Sequence, residues 1–412
     1  MPKVWIKRLR FVFAAALLLC CQTPDPGVQT PVSLPRRIEA EERREVAYHE
    51  EPSPEEAPAL SDRLTLIAAG DNLFHISILN DSAQKTKPGE KPGYDFTPIY
   101  REVRSLVKAA DLAFINQETV MGGEALGYTG YPRFNTPGEL AKTLAETGFD
   151  IVNHANNHAL DRGEEGLMAT MDLWDGIDGI EYLGIHRTME KKQTLIVKNN
   201  ITLGFLSYTY GTNGISLPRN KPWLVSLINQ ETMAQEIDAL RPRCDVLAVS
   251  MHWGEEYRPE PSDAQRGLAE FLAEHQVDLV IGHHPHVLQR FEVLPRPDGG
   301  ETLCFYSLGN FVSNQEPKET LLGAILYVEI VKEGEAVTLD NPGLLPVVTH
   351  YEQGYTNTRV FPLYAYSKEL MERHRLYTRD QEFRQEFFAA RLEKLHARLI
   401  MENPFTGSGA VD

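Results

Sequence analysis

The sequence predicts an α/β fold, and three observations carry that prediction. From residue 62 onward, short apolar runs alternate with stretches of helical period. The runs at 64–69, 112–115, 151–152, 246–250 and 277–281 are mostly apolar on successive residues, the mark of strands buried on both faces. Each of them stops abruptly at a polar cluster. A length of 412 residues with 42% hydrophobic content fits one large α/β domain plus appendages.

The first element is a leader. Lys3, Lys7, Arg8 and Arg10 precede an apolar run at 11–19 and the pair Cys20-Cys21, which reads as the charged, apolar and modification regions of a lipoprotein signal over 1–21. The run is shorter than the ~20 apolar residues that span a bilayer. Cys21 is the better lipidation site and Cys20 the alternative, so the expected location is the cell envelope, on the outer side of the cytoplasmic membrane or in the periplasm. Residues 22–61 follow with seven prolines and repeated glutamate pairs, too little apolar surface to offset ordering entropy, and read as a flexible linker.

The main domain is expected over 62–350. Its strands end at Gly70-Asp71-Asn72, Asn116-Gln117-Glu118, the stretch 153–158, His252-Trp253-Gly254 and the stretch 282–286. Ligands of α/β sheets collect outside the carboxyl ends of strands, so five such endings rich in Asp, Glu, Asn and His predict one composite site. Runs at 303–307, 324–331 and 336–339 are β-like and predict a second sheet packed on the first. The tail 351–412 reads as a C-terminal helical extension that covers the domain edge.

The net charge is -17, and four of the cations lie before residue 20, which leaves a strongly acidic body. Nucleic acid is excluded as a partner, because phosphate binding needs a basic surface. Cys244 and Cys304 sit in apolar runs and read as buried free thiols, without the spacing of metal ligands.

The polar clusters supply oxygen and nitrogen donors suited to one or two divalent transition ions such as Mn²⁺, Fe or Zn²⁺. Two such ions recur in phosphoester hydrolysis. His284 and His286 flank Pro285, so an extended segment would turn both imidazoles to one side and His283 to the other. Asn157-His158 lies in a turn before a helix starting near Glu164, where the amide could ligate metal while the imidazole faces substrate. His154 and Asn156 are expected to brace that turn.

The segments GDNLFH (70–75), NQET (116–119), YPRFNTP (131–137), NHANNHALDRG (153–163), LSYTYGTNG (206–214), SMHWGEEY (250–257), GHHPHVLQ (282–289) and YSLGNF (306–311) together resemble the CapA/PgsA family of poly-γ-glutamate capsule proteins, a branch of the calcineurin-like metallophosphoesterases. The resemblance implies a sandwich of two β-sheets flanked by helices. It also implies roles. Asp71, Glu118, Asn157, His252, His284 and His286 would be metal ligands and His158 the acid that protonates the leaving group. Position 73 is Leu where the superfamily motif carries a ligand histidine, so His75 is a possible replacement ligand; the bridging carboxylate would be Glu in place of Asp. Arg133, Tyr208, Tyr210, Asn213, Trp253, Glu255 and Glu256 would line a substrate cleft.

Two functions follow from the resemblance. One is a metal-dependent hydrolase acting in poly-γ-glutamate capsule biosynthesis or export, on a phosphoester or a polymer-linked bond. The other is a non-catalytic factor that uses the metal to hold polyglutamate carboxylates during export. Either implies a polyanionic polymer or phosphoester as partner, a membrane contact through the lipid anchor, and a place beside a capsule synthase complex.

Overall fold

The structure is a computed structural model that describes residues 62–84, 93–395 and 399–405. The signal at 1–21, with Cys20 and Cys21, and the linker at 22–61 lie outside the described residues. In chain order the strands are β1 (Asp62–Asn72), β2 (Leu112–Gln117), β3 (Ile151–Asn153), β4 (Glu181–Leu183), β5 (Thr194–Lys198), β6 (Ile201–Thr209) and β7 (Val246–His252). They continue as β8 (Leu279–His283), β9 (Phe291–Pro295), β10 (Glu301–Phe305), β11 (Asn310–Val312), β12 (Leu322–Glu333), β13 (Ala336–Glu352) and β14 (Thr356–Pro362).

Among the described residues these strands form two sheets. One has eight strands in the order β14-β13-β12-β1-β2-β3-β4, with β11 alongside the end of β1; the other has six in the order β5-β6-β7-β8-β10-β9. The pairs β1·β2, β2·β3 and β3·β4 are parallel, as are β6·β7 and β7·β8. This is the expected mixed α/β sandwich.

Alternation of side chains along each strand divides the core into layers. Leu66, Ala68, Phe114 and Ile151 of the first sheet meet Leu203, Phe205, Ala248, Ile281 and Leu303 of the second. Their neighbours Ile67, Ala69, Ala113, Ile115 and Val152 point the other way, under Leu140, Leu144 and Trp174 of the helices Glu139–Thr147 and Gly163–Asp175. On the far side Leu247, Val249, Met251 and Val280 pack against Met233, Ile237, Leu240 and Leu272 of the helices Gln230–Leu240 and Asp263–Glu274. Burial on both faces thus explains why the strands read as unbroken apolar runs. Full burial of each large aliphatic residue stabilises the fold by about 1.5–3 kcal/mol.

The two helices on the second sheet start at side-chain caps. Asn229 accepts from the backbone N–H of Thr232, and Ser262 with Gln265 forms a reciprocal capping box, each worth about 1 kcal/mol. None of the helices among the described residues is long and apolar enough to cross a membrane. Cys304 is buried and Cys244 half-buried, both as free thiols.

The C-terminal helical extension expected over 351–412 carries a strand ahead of its helices. It opens with β14, which pairs antiparallel with β13 and so belongs to the first sheet. Two short helices follow, Lys368–Arg373 and Gln385–Glu393. Phe383, Phe388, Leu392 and Leu395 join the inter-sheet core beside Leu288 and Leu308, so the tail closes one end of the sandwich.

Candidate metal centre

The parallel registers put Asp71 opposite Asn116, and Asn116 opposite Asn153, at the carboxyl ends of β1, β2 and β3. A buried ladder runs along this edge. Asn116 Nδ2 donates to Asp71 Oδ1 at 2.7 Å and Asn153 Nδ2 to Asn116 Oδ1 at 2.8 Å, while Ser207 Oγ on β6 of the other sheet donates to Asn153 Oδ1. The strand ends of both sheets are therefore tied at one level, and the polar clusters open onto a common centre.

Two close backbone approaches form its floor. A Cβ on Gly70 would lie 2.0 Å from the Gly309 carbonyl oxygen, and one on Gly282 would lie 2.0 Å from that of Tyr306. Only glycine lets the neighbouring strands come this near. Asp71 N–H then donates to Gly309 O at 2.9 Å, which fixes the aspartate at the strand end.

Glu118 is the focus. It is fully buried, and neither carboxylate oxygen has a hydrogen-bond partner. Its Oε1 lies 3.7 Å from His286 Nε2 and 3.8 Å from His252 Nε2. Asp71 Oδ2 lies 3.1 Å from His286 Nδ1 and accepts the backbone N–H of His284 at 3.2 Å. Asn157 Oδ1 is 3.0 Å from His252 Nε2. The rings of His252 and His284 are 4.8 Å apart, and those of His284 and His286 5.9 Å.

A buried carboxylate with no donor is costly unless a cation meets it. The donor atoms fall into overlapping groups: Asp71, Glu118 and His286 lie within 4.8 Å of one another, and so do Glu118, His252 and His284. The shared member is Glu118. This set fits a divalent metal site, with Asn157 beside the second group.

The electrostatics agree. Burial raises the Glu118 carboxyl well above its ordinary range, with the His286 charge opposing and the Asp71 charge adding. Burial would also raise Asp71, but the imidazoles of His283 and His286 outweigh it and hold Asp71 well below the carboxylate range. For His286 burial is overcome by the charges of Glu118 and Asp71, which lift it to about 9. Burial keeps His252 far below its ordinary value and lowers His284 to about 3, so both are neutral and able to ligate.

His158 stands beside this cluster, buried against the edge of the Phe134 ring at 4.7 Å. Its Nδ1 is 2.7 Å from Asp161 Oδ2, which also accepts the Phe134 N–H at 2.7 Å. The Nδ1–H donates to the carboxylate, which leaves Nε2 as an acceptor 3.5 Å from Asn213 Nδ2. Asn213 Nδ2 lies 3.3 Å from His158 Nδ1, and Asn213 Oδ1 accepts from Asn157 at 3.1 Å, so Asn213 joins the two.

The turn is braced as expected: Asn156 Nδ2 donates to Gln117 O, its Oδ1 accepts the His158 N–H, and His154 Nε2 accepts from Trp174 Nε1 at 2.8 Å. His75 lies near enough for its charge to interact with His286 and His158. Burial lowers it to about 4, and its Nδ1 has no partner.

The expected geometry of the histidine segment is corrected. His284 and His286 do not lie in an extended segment; their φ values are +96° and +59°, and a left-handed turn around Pro285 brings both rings inward. His283 does not point away from the site. It ends β8 between the sheets, stacked on Phe114 at 5.8 Å with Nδ1 3.3 Å from Asp71 Oδ1. Arg133 is exposed, and its carbonyl oxygen accepts from Thr129 and Arg162. Tyr208 is tied to Glu236 at 2.7 Å, and Trp253 donates to Tyr306 O at 2.9 Å; both brace the strand ends. Tyr210 does reach the centre, 4.6 Å from the His284 ring.

Sequence reasoning did not single out Asp161, Asn116, Asn153 or Asn310. Asp161 follows His158 by three residues, a spacing that could have suggested the pair. Asn310 Oδ1 lies 3.0 Å from His286 Nδ1 and orients that ring; only the fold brings β11 to this place.

Comparison with known proteins gives one family. The family described as bacterial capsule synthesis protein PGA_cap matches residues 65–315. The PGA biosynthesis protein CapA of Bacillus subtilis (strain 168) is 32% identical over 200 residues, covering 48% of this chain and 51% of that one. The capsule biosynthesis protein CapA of Bacillus anthracis is 31% identical over 206 residues, 48% of each. The chain thus spans about half the length of these curated relatives. Among solved structures, the calcineurin-like phosphoesterase YfkN of Bacillus subtilis aligns with a TM-score of 0.40 at 12% identity, over 81% of this chain and 99% of that one. The NAD nucleotidase NadN of Haemophilus influenzae aligns at 0.42 and 12%, over 83% and 64%.

Proposed function

The chain belongs to the bacterial capsule synthesis protein PGA_cap family, and from that premise we propose that it is a metal-dependent hydrolase of the cell envelope, acting in capsule polymer biosynthesis or export on a phosphoester or a polymer-linked bond. Attachment through Cys21, or Cys20, to the outer side of the cytoplasmic membrane or in the periplasm is part of this proposal, as is a working partnership with poly-γ-glutamate and its synthase.

The observation that carries the reading is the juxtaposition of a Glu118 carboxylate without a hydrogen-bond partner, flanked by His252, His284 and His286, with His158 beside the group. Asp71, Glu118 and His286 would hold one divalent ion, and Glu118, Asn157, His252 and His284 the other. Bound there, such ions supply Lewis acidity and neutralise developing negative charge. The chain does the rest. The donor residues Asp71, Glu118, His252, His284 and His286 are buried, and His158 would supply a proton to the departing oxygen or nitrogen. Asp161 sets the ring through Nδ1 and leaves Nε2, 3.5 Å from Asn213 Nδ2, for the proton.

A specific observation favours the non-catalytic export factor. Leu73 is packed into the core where the superfamily motif has a ligand, so the group around Asp71 is one histidine short. His158 separates the two readings. A positioned general acid contributes about 10²–10⁴ in rate, so His158→Ala should keep its metal yet lose that much turnover on a bis-aryl phosphodiester or on poly-γ-glutamate. Absence of hydrolysis by the wild type, with polyglutamate binding that survives His158→Ala, would refute the hydrolase.

A further inference from the structure

The ligand groups around Glu118 leave the ion of Asp71 and His286 with fewer protein donors than its neighbour. A third cluster bears on this. One carboxylate oxygen of Glu256 and one ring nitrogen each of His284 and His286 lie within 4.8 Å of one another, although Glu256 itself is exposed. His284 and His286 belong to different ion groups. The Glu256 carboxylate therefore approaches the pair from the solvent side, while Glu118 approaches from the buried floor.

The backbone holds it there. The Trp253 N–H donates to His283 O at 3.1 Å and the Tyr257 N–H donates to Pro285 O at 2.8 Å, so the loop carrying Glu256 is clamped at both ends to the turn carrying the histidines. Tyr257 sits at φ +64° with its ring 6.1 Å from that of His286, and its hydroxyl accepts from Gln315 Nε2 at 3.2 Å. The adjacent Glu255 is engaged elsewhere: its carboxylate pairs with Arg258 Nε at 2.8 Å.

We propose that Glu256 is a metal ligand that caps the centre from its open side, supplying the donor that Leu73 does not. The proposal rests on the two-ion reading of the site. It gives the centre three carboxylates, Asp71, Glu118 and Glu256, against two divalent charges. One positive charge is left over to attract an anionic substrate, and the cap lies on the part of the ligand shell that such a substrate must displace or share.

The test is Mn²⁺ binding to the intact protein, followed by the free-ion EPR signal and by elemental analysis after dialysis, for wild type, Glu256→Gln and Glu255→Gln. Both substituted residues are exposed, so the fold is retained, and circular dichroism checks it. Loss of a direct ligand should weaken one Mn²⁺ by more than about tenfold, since even outer-shell partners act on that scale. Glu255→Gln should bind as wild type does. Equal binding by wild type and Glu256→Gln would overturn the ligand assignment while leaving the centre intact. Equal weakening by both variants would overturn it in favour of general surface charge. A wild type that takes up no Mn²⁺, Zn²⁺ or Fe²⁺ would remove the centre and the proposal together.

Discussion

Replacing Glu118 by Gln should invert the stability order of the protein between its metal-free and metal-loaded forms. In the metal-free protein both Glu118 oxygens are buried without a partner, and an unsatisfied buried polar group costs about 1–3 kcal/mol, more when charged. The amide is nearly isosteric and costs less to desolvate, so metal-free Glu118→Gln is expected to be more stable by about 1–3 kcal/mol. With metal the sign reverses. An ion at 100 times its Kd stabilises wild type by about 2.7 kcal/mol, and the variant, lacking the carboxylate common to both ligand groups, forgoes most of that. The assay is urea unfolding after dialysis against chelator, repeated with Mn²⁺, for both proteins. A variant less stable than wild type in the metal-free state would refute the reasoning, because Glu118 would then be satisfied by the protein alone.

Two further outcomes follow from the structure. His154 and His374 are buried, burial lowers each to about 3, and each accepts a hydrogen bond on a ring nitrogen, from Trp174 Nε1 and from the Leu376 N–H. Both are neutral when folded, whereas an unfolded histidine protonates near pH 6.5. They therefore leave stability unchanged above about 6.5 and erode it as pH falls toward 3, each by about 1.4 kcal/mol per pH unit. Urea midpoints measured across that window should fall steeply, and His374→Gln should flatten the slope; an unchanged slope counts against the assignment. Gly282→Ala places a methyl 2.0 Å from Tyr306 O and should cost about 1–3 kcal/mol or more, with weakened metal binding because the histidine turn follows directly. Gly267→Ala, on the open face of the helix Asp263–Glu274 with nothing within 4 Å, should instead stabilise by about 0.5–1 kcal/mol. Thermal unfolding of the two variants checks the contrast.

The fold was legible where burial is two-sided. β1, β2, β7 and β8 are apolar on successive residues because helices cover one face and the opposite sheet the other, and they end where a single polar residue would enter the site. β14 was missed because its first residues, Thr356-Asn357, are exposed and its apolar part is only the last few residues. An edge strand of that kind carries neither alternation nor a continuous run. The His-Pro-His segment shows a right consequence reached from a wrong geometry. The period-2 argument assumes that the strand runs through residue 286. It ends at His283, and the two histidines turn inward by left-handed backbone at non-glycine positions, for which sequence offers no local signal.

The candidate ligands legible in the sequence come from both sheets: Asp71 lies at the end of β1 and Glu118 and Asn157 follow β2 and β3 of the first, while His252 ends β7 and His284 and His286 follow β8 of the second. A centre split this way works only if the sheets are held in register before the ion arrives, and the residues that do so were the ones sequence did not reveal. Asn116 and Asn153 carry a hydrogen-bonded chain from Asp71 to Ser207 across the inter-sheet boundary, while His283 wedges between Phe114 and Asp71. Each is an ordinary polar residue in sequence and acquires its role from parallel registers that bring distant strand ends level. The metal is therefore not asked to assemble the site. It would enter a frame already closed by neutral amides, in which Glu118 is the carboxylate that no hydrogen bond satisfies.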